Sequence, residues 1–337
     1  MLLWKGLSRR AIAASIAVVL LAGCLGNGAR VIPPAGGGGV TSGTRTPLTT
    51  RARKYDGLVF VSDIDSGIVW VCRPNFGDIR TGFLPPFTQL SGSSYPVQIA
   101  EDAEGTIYVA NAQVDAGGDG SITEYARGSL SPSTTLTAGL NTTLGVAVDA
   151  RGTVYASNEL LGSIEVFPKG KTVPRATITT NLLEPAGLAV DKAGNLYIAD
   201  GAANAVLRLA HGSKTPEPLH LRGLRRPMGV AVDSRGNLYV ANLLAASSYV
   251  GVYPPGATRP SRSIVVRGNV KGAIGELSML SIAPGDLLIV SAPITANTKG
   301  GPPLAVADGF AYGQTGPSWV EYDQGVSYTD VVFQPAQ

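Results

Sequence analysis

One phrase recurs along this chain, and no other feature limits its fold as tightly. Pro96-Val-Gln-Ile-Ala-Glu-Asp102-Ala-Glu-Gly105-Thr-Ile-Tyr108-Val-Ala-Asn111 returns as Leu144-Gly-Val-Ala-Val-Asp149 with Gly152-Thr-Val-Tyr155-Ala-Ser-Asn158. It returns again from Pro185 to Asp200 and from Pro227 to Asn242. Each copy reads as an apolar strand, an Asp-x-x-Gly hairpin and a second strand centred on Tyr. The Asp carboxylate accepts from the turn backbone and the Gly supplies a positive φ, so the turn explains both residues without a ligand. Third strands follow at Ile122 to Tyr125, Ile164 to Phe167 and Val250 to Tyr253, and pieces such as Ala176 to Ile178 and Ile264 to Val266 supply a fourth. Four strands in about 42 to 49 residues is the spacing of a propeller blade. Ala100, Ala147, Ala189 and Ala231 share one place in the innermost strand, where strands crowd the axis and small side chains fit.

Two weaker copies, Gly57 to Asp63 and Gly285 to Ser291, bring the count to six. The first lacks an inner strand upstream. Tyr328-Thr-Asp-Val-Val-Phe333 is a free apolar strand of the right size, predicted to supply it and leave no open edge at the seam. The expected fold is therefore all-β: a six-bladed β-propeller of four-stranded blades over 55–337, its ring closed by the C-terminal strand. With 43 Gly and 23 Pro among 337 residues, the composition suits many turns and excludes a helical protein, and no strict glycine period supports a triple helix.

Gly229-Val-Ala-Val-Asp233 followed by Gly236-Asn-Leu-Tyr-Val-Ala-Asn242 resembles the repeat of NHL and YVTN-type propellers. The resemblance covers nearly all of 55–337. That family spans scaffolds, sensors and enzymes, so the resemblance implies a fold and leaves function open.

The first 23 residues carry Lys5, Arg9 and Arg10, no acidic residue, and an apolar run from Ala11 to Leu21 that is about half the length needed to span a bilayer. They read as a signal peptide. Leu21-Ala22-Gly23-Cys24 resembles the lipobox of bacterial lipoproteins, which implies cleavage before Cys24 and its acylation. Residues 24–54, with Gly36-Gly37-Gly38-Gly39, read as a flexible linker spanning roughly 30 Å as a coil. Leu25, where an Asp would mark retention at the inner membrane in some Gram-negative bacteria, favours the outer membrane or its periplasmic side. Removing the leader leaves 24 basic against 24 acidic residues, which argues against nucleic acid as a partner. Cys72 is the only other cysteine, so a lipidated Cys24 leaves no intramolecular disulfide.

Asp63, Asn111, Asn158, Asp200 and Asn242 end the second strands and are placed at one mouth of the channel as a polar ring, or else each caps its own turn. Six-bladed relatives of the gluconolactonase type hold a divalent cation with such residues, which by resemblance makes Asp63, Asn158 and Asp200 candidate Ca2+ ligands. The 26 residues from Ala292 to Pro317 read as a long loop in blade six, a lid or a decoration, with Lys299, Asp308, Tyr312 and Gln314 near the mouth. Asp115 and Asp119 sit in a Gly-rich turn. Arg225 and Arg226, after His220 and Arg222, are candidate anion contacts or solvated connector charges. His211 and His220 are too few for a three-His zinc centre, and no Gly-x-Ser-x-Gly elbow is present.

Two functional readings follow. The first is a monomeric, membrane-anchored lipoprotein whose propeller binds or scaffolds an envelope protein, glycan or small ligand. The second is a metal-dependent hydrolase or lactonase-like enzyme.

Overall fold

The computed structural model describes residues 57–64, 66–73, 86–112, 120–243, 248–265, 273–275, 279–283, 285–296, 304–310, 319–324 and 328–334. The leader and linker, Cys24 included, lie outside them, as do Asp115, Asp119, Lys299, Tyr312 and Gln314.

The strands run in chain order as β1 (Leu58–Asp63), β2 (Ile68–Cys72) and β3 (Thr88–Leu90). Next come β4 (Pro96–Glu101), β5 (Ile107–Asn111), β6 (Ser121–Tyr125) and β7 (Thr134–Leu136), then β8 (Thr143–Val148), β9 (Val154–Asn158), β10 (Ser163–Phe167) and β11 (Ala176–Ile178). The next four are β12 (Pro185–Val190), β13 (Leu196–Asp200), β14 (Ala205–Leu209) and β15 (Glu217–Pro218). They are followed by β16 (Pro227–Val232), β17 (Leu238–Asn242), β18 (Tyr249–Tyr253) and β19 (Arg262–Val265). Last are β20 (Ala273–Gly275), β21 (Leu280–Ala283), β22 (Leu287–Ala296), β23 (Leu304–Phe310), β24 (Trp319–Gln324) and β25 (Tyr328–Gln334).

Five four-stranded antiparallel sheets form: β25-β1-β2-β3, β4 to β7, β8 to β11, β12 to β15 and β16 to β19. The chain is a β-propeller by fold. Pro96 faces Asn111, Thr143 faces Asn158, Pro185 faces Asp200 and Pro227 faces Asn242, with a bulge just inside each of these pairs. The inner strands neighbour one another in the order β25, β4, β8, β12, β16, β21, and β21 neighbours β25. β25 pairs with β1 from Leu58↔Gln334 to Asp63↔Tyr328.

The remaining sheet corrects the expectation of six like blades. It has five strands, ordered β20-β22-β23-β24, with β21 also on β22. The expected loop over 292–317 is corrected with it. β22 continues five residues past Ser291, β20 pairs with that extension, and β23 returns along it with Ile294 opposite Leu304. Asp308 is thus a strand residue opposite Val290 and Val320, not a loop residue. The physical reason is in the segment itself: Ala292 to Ala296 and Leu304 to Val306 are rich in Ala, Ile, Leu and Val, and strand pairing satisfies a backbone that a loop would leave to water.

Hairpins behave as the repeat requires. Asp102 Oδ1 accepts the N–H groups of Glu104 and Thr106 at 2.9 Å each, Gly105 has φ 83°, and the Tyr108 hydroxyl donates to Asp102 Oδ2 at 3.1 Å. Asp191 with Tyr197 and Asp233 with Tyr239 repeat the arrangement. Burial and the adjacent carboxylate push these tyrosine hydroxyls above their ordinary value.

The core lies between sheets rather than in one centre. Phe60, Val69, Val71 and Leu90 of the first sheet interdigitate with Ile99, Ile107, Val109 and Tyr125 of the second, and similar sandwiches follow around the ring. Each such aliphatic side chain contributes about 1.5–3 kcal/mol when fully buried.

Candidate functional site

The second strands all finish at one end of the molecule, here the upper end. Asp63, Asn111, Asn158, Asp200 and Asn242 do occupy it, each at most 1% exposed, but their side chains hold their own blades together. Asn111 Oδ1 accepts the N–H of Ser94 at 3.0 Å, Asn158 Oδ1 that of Asn141 at 2.9 Å and Asn242 Oδ1 that of Arg225 at 2.8 Å. Asp200 accepts from Leu183 N at 2.7 Å, Glu184 N at 3.1 Å and Ala203 N at 2.9 Å. Asp63 instead accepts from the Ser66 hydroxyl at 2.6 Å. The common role is to fasten a loop, in four blades the one leading into the inner strand, by accepting its backbone N–H groups. Asp63, Asn158 and Asp200 belong to three different sheets and are each engaged there. Among the described residues no group of three or more His, Cys, Asp or Glu could hold a metal.

Below that ring the mouth is apolar. Val97, Leu144, Ala186 and Met279 are buried together with Ala112, and Ile64, Tyr95 and Met228 pack against them. Six sheets contribute to this plug, because the second residue of most inner strands, or the residue just before, turns inward here.

One layer deeper the axis is polar. An innermost strand has one edge without a strand partner, and such edges facing one axis are too splayed to pair, so side chains satisfy them. Gln98 Oε1 accepts the N–H groups of Val146 at 3.1 Å and Leu188 at 3.0 Å, and its Nε2 donates to the Leu188 carbonyl at 2.8 Å. Asp330 accepts the N–H groups of Ile99 and Val331 at 2.9 Å each. Ser62 donates to the Val97 carbonyl at 2.9 Å, Ser157 to that of Ala186 at 2.7 Å, and Ser281 to that of Val331. Burial pushes the Asp330 carboxyl up to about 7, against the lowering effect of its two N–H donors. Toward the lower end, burial likewise takes Glu101 to about 7, with Gln334 and Arg127 opposing. Sequence reasoning missed Gln98 and Asp330. For Gln98 the signal was a break in the repeat, since its position is Gly145, Gly187 and Gly229 in the next three blades.

Arg225 and Arg226 lie on the connector into β16. Arg226 Nη2 stands 3.9 Å from Glu184 Oε2, and its N–H donates to Asn204 Oδ1 at 2.8 Å. Neighbouring Arg222 and Gly223 line an open depression of about 410 Å3 with Arg259 and Pro260 on the outer rim, away from the axis. Cys72 is buried in β2.

The upper end carries a second feature that the sequence reading did not single out. Leu160, Leu161 and Leu183 are 66%, 58% and 61% exposed. Their loops abut: a Cβ added at Gly162, φ 59°, would stand 3.1 Å from the Leu183 carbonyl oxygen. Glu159, just before Leu160, is half-buried, and burial followed by Glu184 raises its carboxyl above the usual range, with Arg226 opposing. Two consecutive leucines in a turn where other blades have Asp65-Ser66 or Ala202-Ala203 were the available clue.

No family model matches the chain, and no curated protein matches it either. Among solved structures it is similar to Kuenenia stuttgartiensis hydrazine synthase, with a TM-score of 0.52 and 15% identity over 65% of this chain and 64% of that one. The likeness is one of fold. The match spans just under two thirds of that chain.

Proposed function

We propose that this protein is a binding or scaffold module: a six-bladed NHL-like propeller closed by β25 and held at the cell envelope through a lipidated Cys24 and the 24–54 linker. The observation that carries the reading is the filled axis. With the mouth sealed by Val97, Leu144, Ala186 and Met279 and the layer beneath occupied by Gln98 and Asp330, recognition falls to the outer loops, which the capping residues hold rigid. The pairing of β25 with β1 and the cyclic order of inner strands support the six-membered ring.

The anchoring has a consequence for orientation. β1 ends at the upper end with Asp63, so it begins at the lower end, where Leu58 is paired with Gln334. The chain therefore enters β1 at the lower end, which leaves the upper end free to face away from the membrane. Fractionation tests the anchor: wild type labelled with radioactive palmitate is expected in the membrane fraction, and Cys24→Ser in the soluble fraction without label. Label retained by Cys24→Ser would remove the lipoprotein reading.

A further inference from the structure

We propose that the upper-end loops 159–162 and 182–184 form a docking site for an apolar protein segment that carries a cationic side chain. The proposal deepens the binding-module reading and rests on it.

Three leucines, each more than half exposed, crowd two touching loops, whereas scattered single apolar residues are the norm on a surface. The loops are preorganised. Asp200 accepts from the Leu183 and Glu184 N–H groups, the Glu159 N–H donates to the Thr142 carbonyl at 3.0 Å, and Gly162 donates back to Glu159 at 3.3 Å. A partner therefore meets a surface with little left to order, which favours tight binding. The charge pattern selects the partner. The Glu159 carboxylate is half-buried beside Glu184, and the one nearby guanidinium, Arg226, which stands 3.9 Å from Glu184, lowers the Glu159 carboxyl by less than burial and Glu184 raise it. A Lys or Arg arriving with an apolar segment would relieve both the burial and the repulsion of this carboxylate. A second copy of the chain would bring like carboxylates together across a two-fold axis. Anionic lipid would meet the same carboxylates, and β1, the first strand, begins at the opposite end.

The test uses the full chain in neutral detergent and two labelled helical peptides of equal length, one of Leu and Lys, the other with every Lys replaced by Glu. Fluorescence anisotropy at about 0.15 M salt is expected to show the Leu/Lys peptide binding at least tenfold tighter. Glu159→Gln is expected to narrow that ratio severalfold, and the triple substitution Leu160→Ser, Leu161→Ser, Leu183→Ser to weaken binding at least tenfold with an unchanged melting temperature. If the triple variant folds and binds as well as wild type, this site falls while the module reading stands on another surface. If neither peptide binds, or if wild type instead associates with phosphatidylglycerol vesicles or self-associates in sedimentation through these leucines, the docking proposal is overturned. The module reading is judged separately, by whether proximity crosslinking on the intact envelope finds a partner that contacts any other loop.

Discussion

Gln98 on β4 and Leu188 on β12, ninety residues apart in sequence, exchange two hydrogen bonds across the axis: the side-chain amide donates to the Leu188 carbonyl at 2.8 Å and accepts its N–H at 3.0 Å. The same oxygen also takes the Val146 N–H. One side chain thus ties three blades together where their backbones cannot reach one another.

Removing it should cost more than an ordinary hydrogen bond. Gln98→Ala leaves two N–H groups and a carbonyl buried without partners, and each unsatisfied group costs about 1–3 kcal/mol. A loss of about 3 kcal/mol in urea denaturation, with the m-value unchanged, is expected. A loss below about 0.5 kcal/mol would show that the three blades are held by packing alone.

Neighbouring inner strands approach closely because the positions equivalent to Gln98 in the next blades lack side chains. A Cβ at Gly145 would lie 2.1 Å from the Ala186 carbonyl oxygen, and one at Gly187 would lie 2.7 Å from that of Met228. Both contacts are with backbone, which has no rotamer to yield. Gly145→Ala should therefore destabilise by at least about 2 kcal/mol, the scale of overpacking in a filled core. Gly170→Ala, with nothing near its added Cβ, is the control that should lose only the smaller cost of its positive φ.

Asp330 and Glu101 set the expected pH dependence. Both carboxyls are pushed up to about 7, mainly by burial. As pH rises from about 4 to about 7 the unfolded chain releases protons that the folded chain still holds. Their contribution, complete at acid pH, is lost over that window with a slope of up to about 1.4 kcal/mol per pH unit for each group. Asp330→Asn keeps an acceptor for Ile99 but does not titrate. The wild-type stability minus that of the variant should fall across this window and flatten above it, as read by denaturation at several pH values. A flat difference would mean that Asp330 is ionised throughout.

Deleting 328–337 tests the seam. β1 would lose the strand that covers one of its edges, and Asp330 would no longer serve the Ile99 N–H. The expected outcome is loss of the cooperative thermal transition and aggregation through the bared edge. A truncated chain that still melts in one transition at the wild-type temperature would refute a role for β25 in holding the ring.

The repeat made much of this legible. Asp-x-x-Gly hairpins and the Tyr at the centre of the second strand are local chemistry, set by residues within about six positions of one another, and the structure places them as the pattern implies. The site was less legible for the same reason. Asn111, Asn158 and Asn242 look alike whether they face a ligand or a loop, and only the position of the Ser94, Asn141 and Arg225 N–H groups decides between the two. The segment 292–317 was misread because long apolar hairpins and long loops differ in pairing, which is a property of two segments at once.

By itself, then, the sequence determined the repeating antiparallel unit and its turns, since those depend on backbone preference and short-range hydrogen bonds. Tertiary structure alone decided that the mouth is sealed, that Gln98 and Asp330 fill the axis, and that Leu160, Leu161 and Leu183 share one surface. Those outcomes depend on which inner strands converge and how far apart their free edges lie, and contacts across 90 to 231 residues leave no periodic trace in the chain.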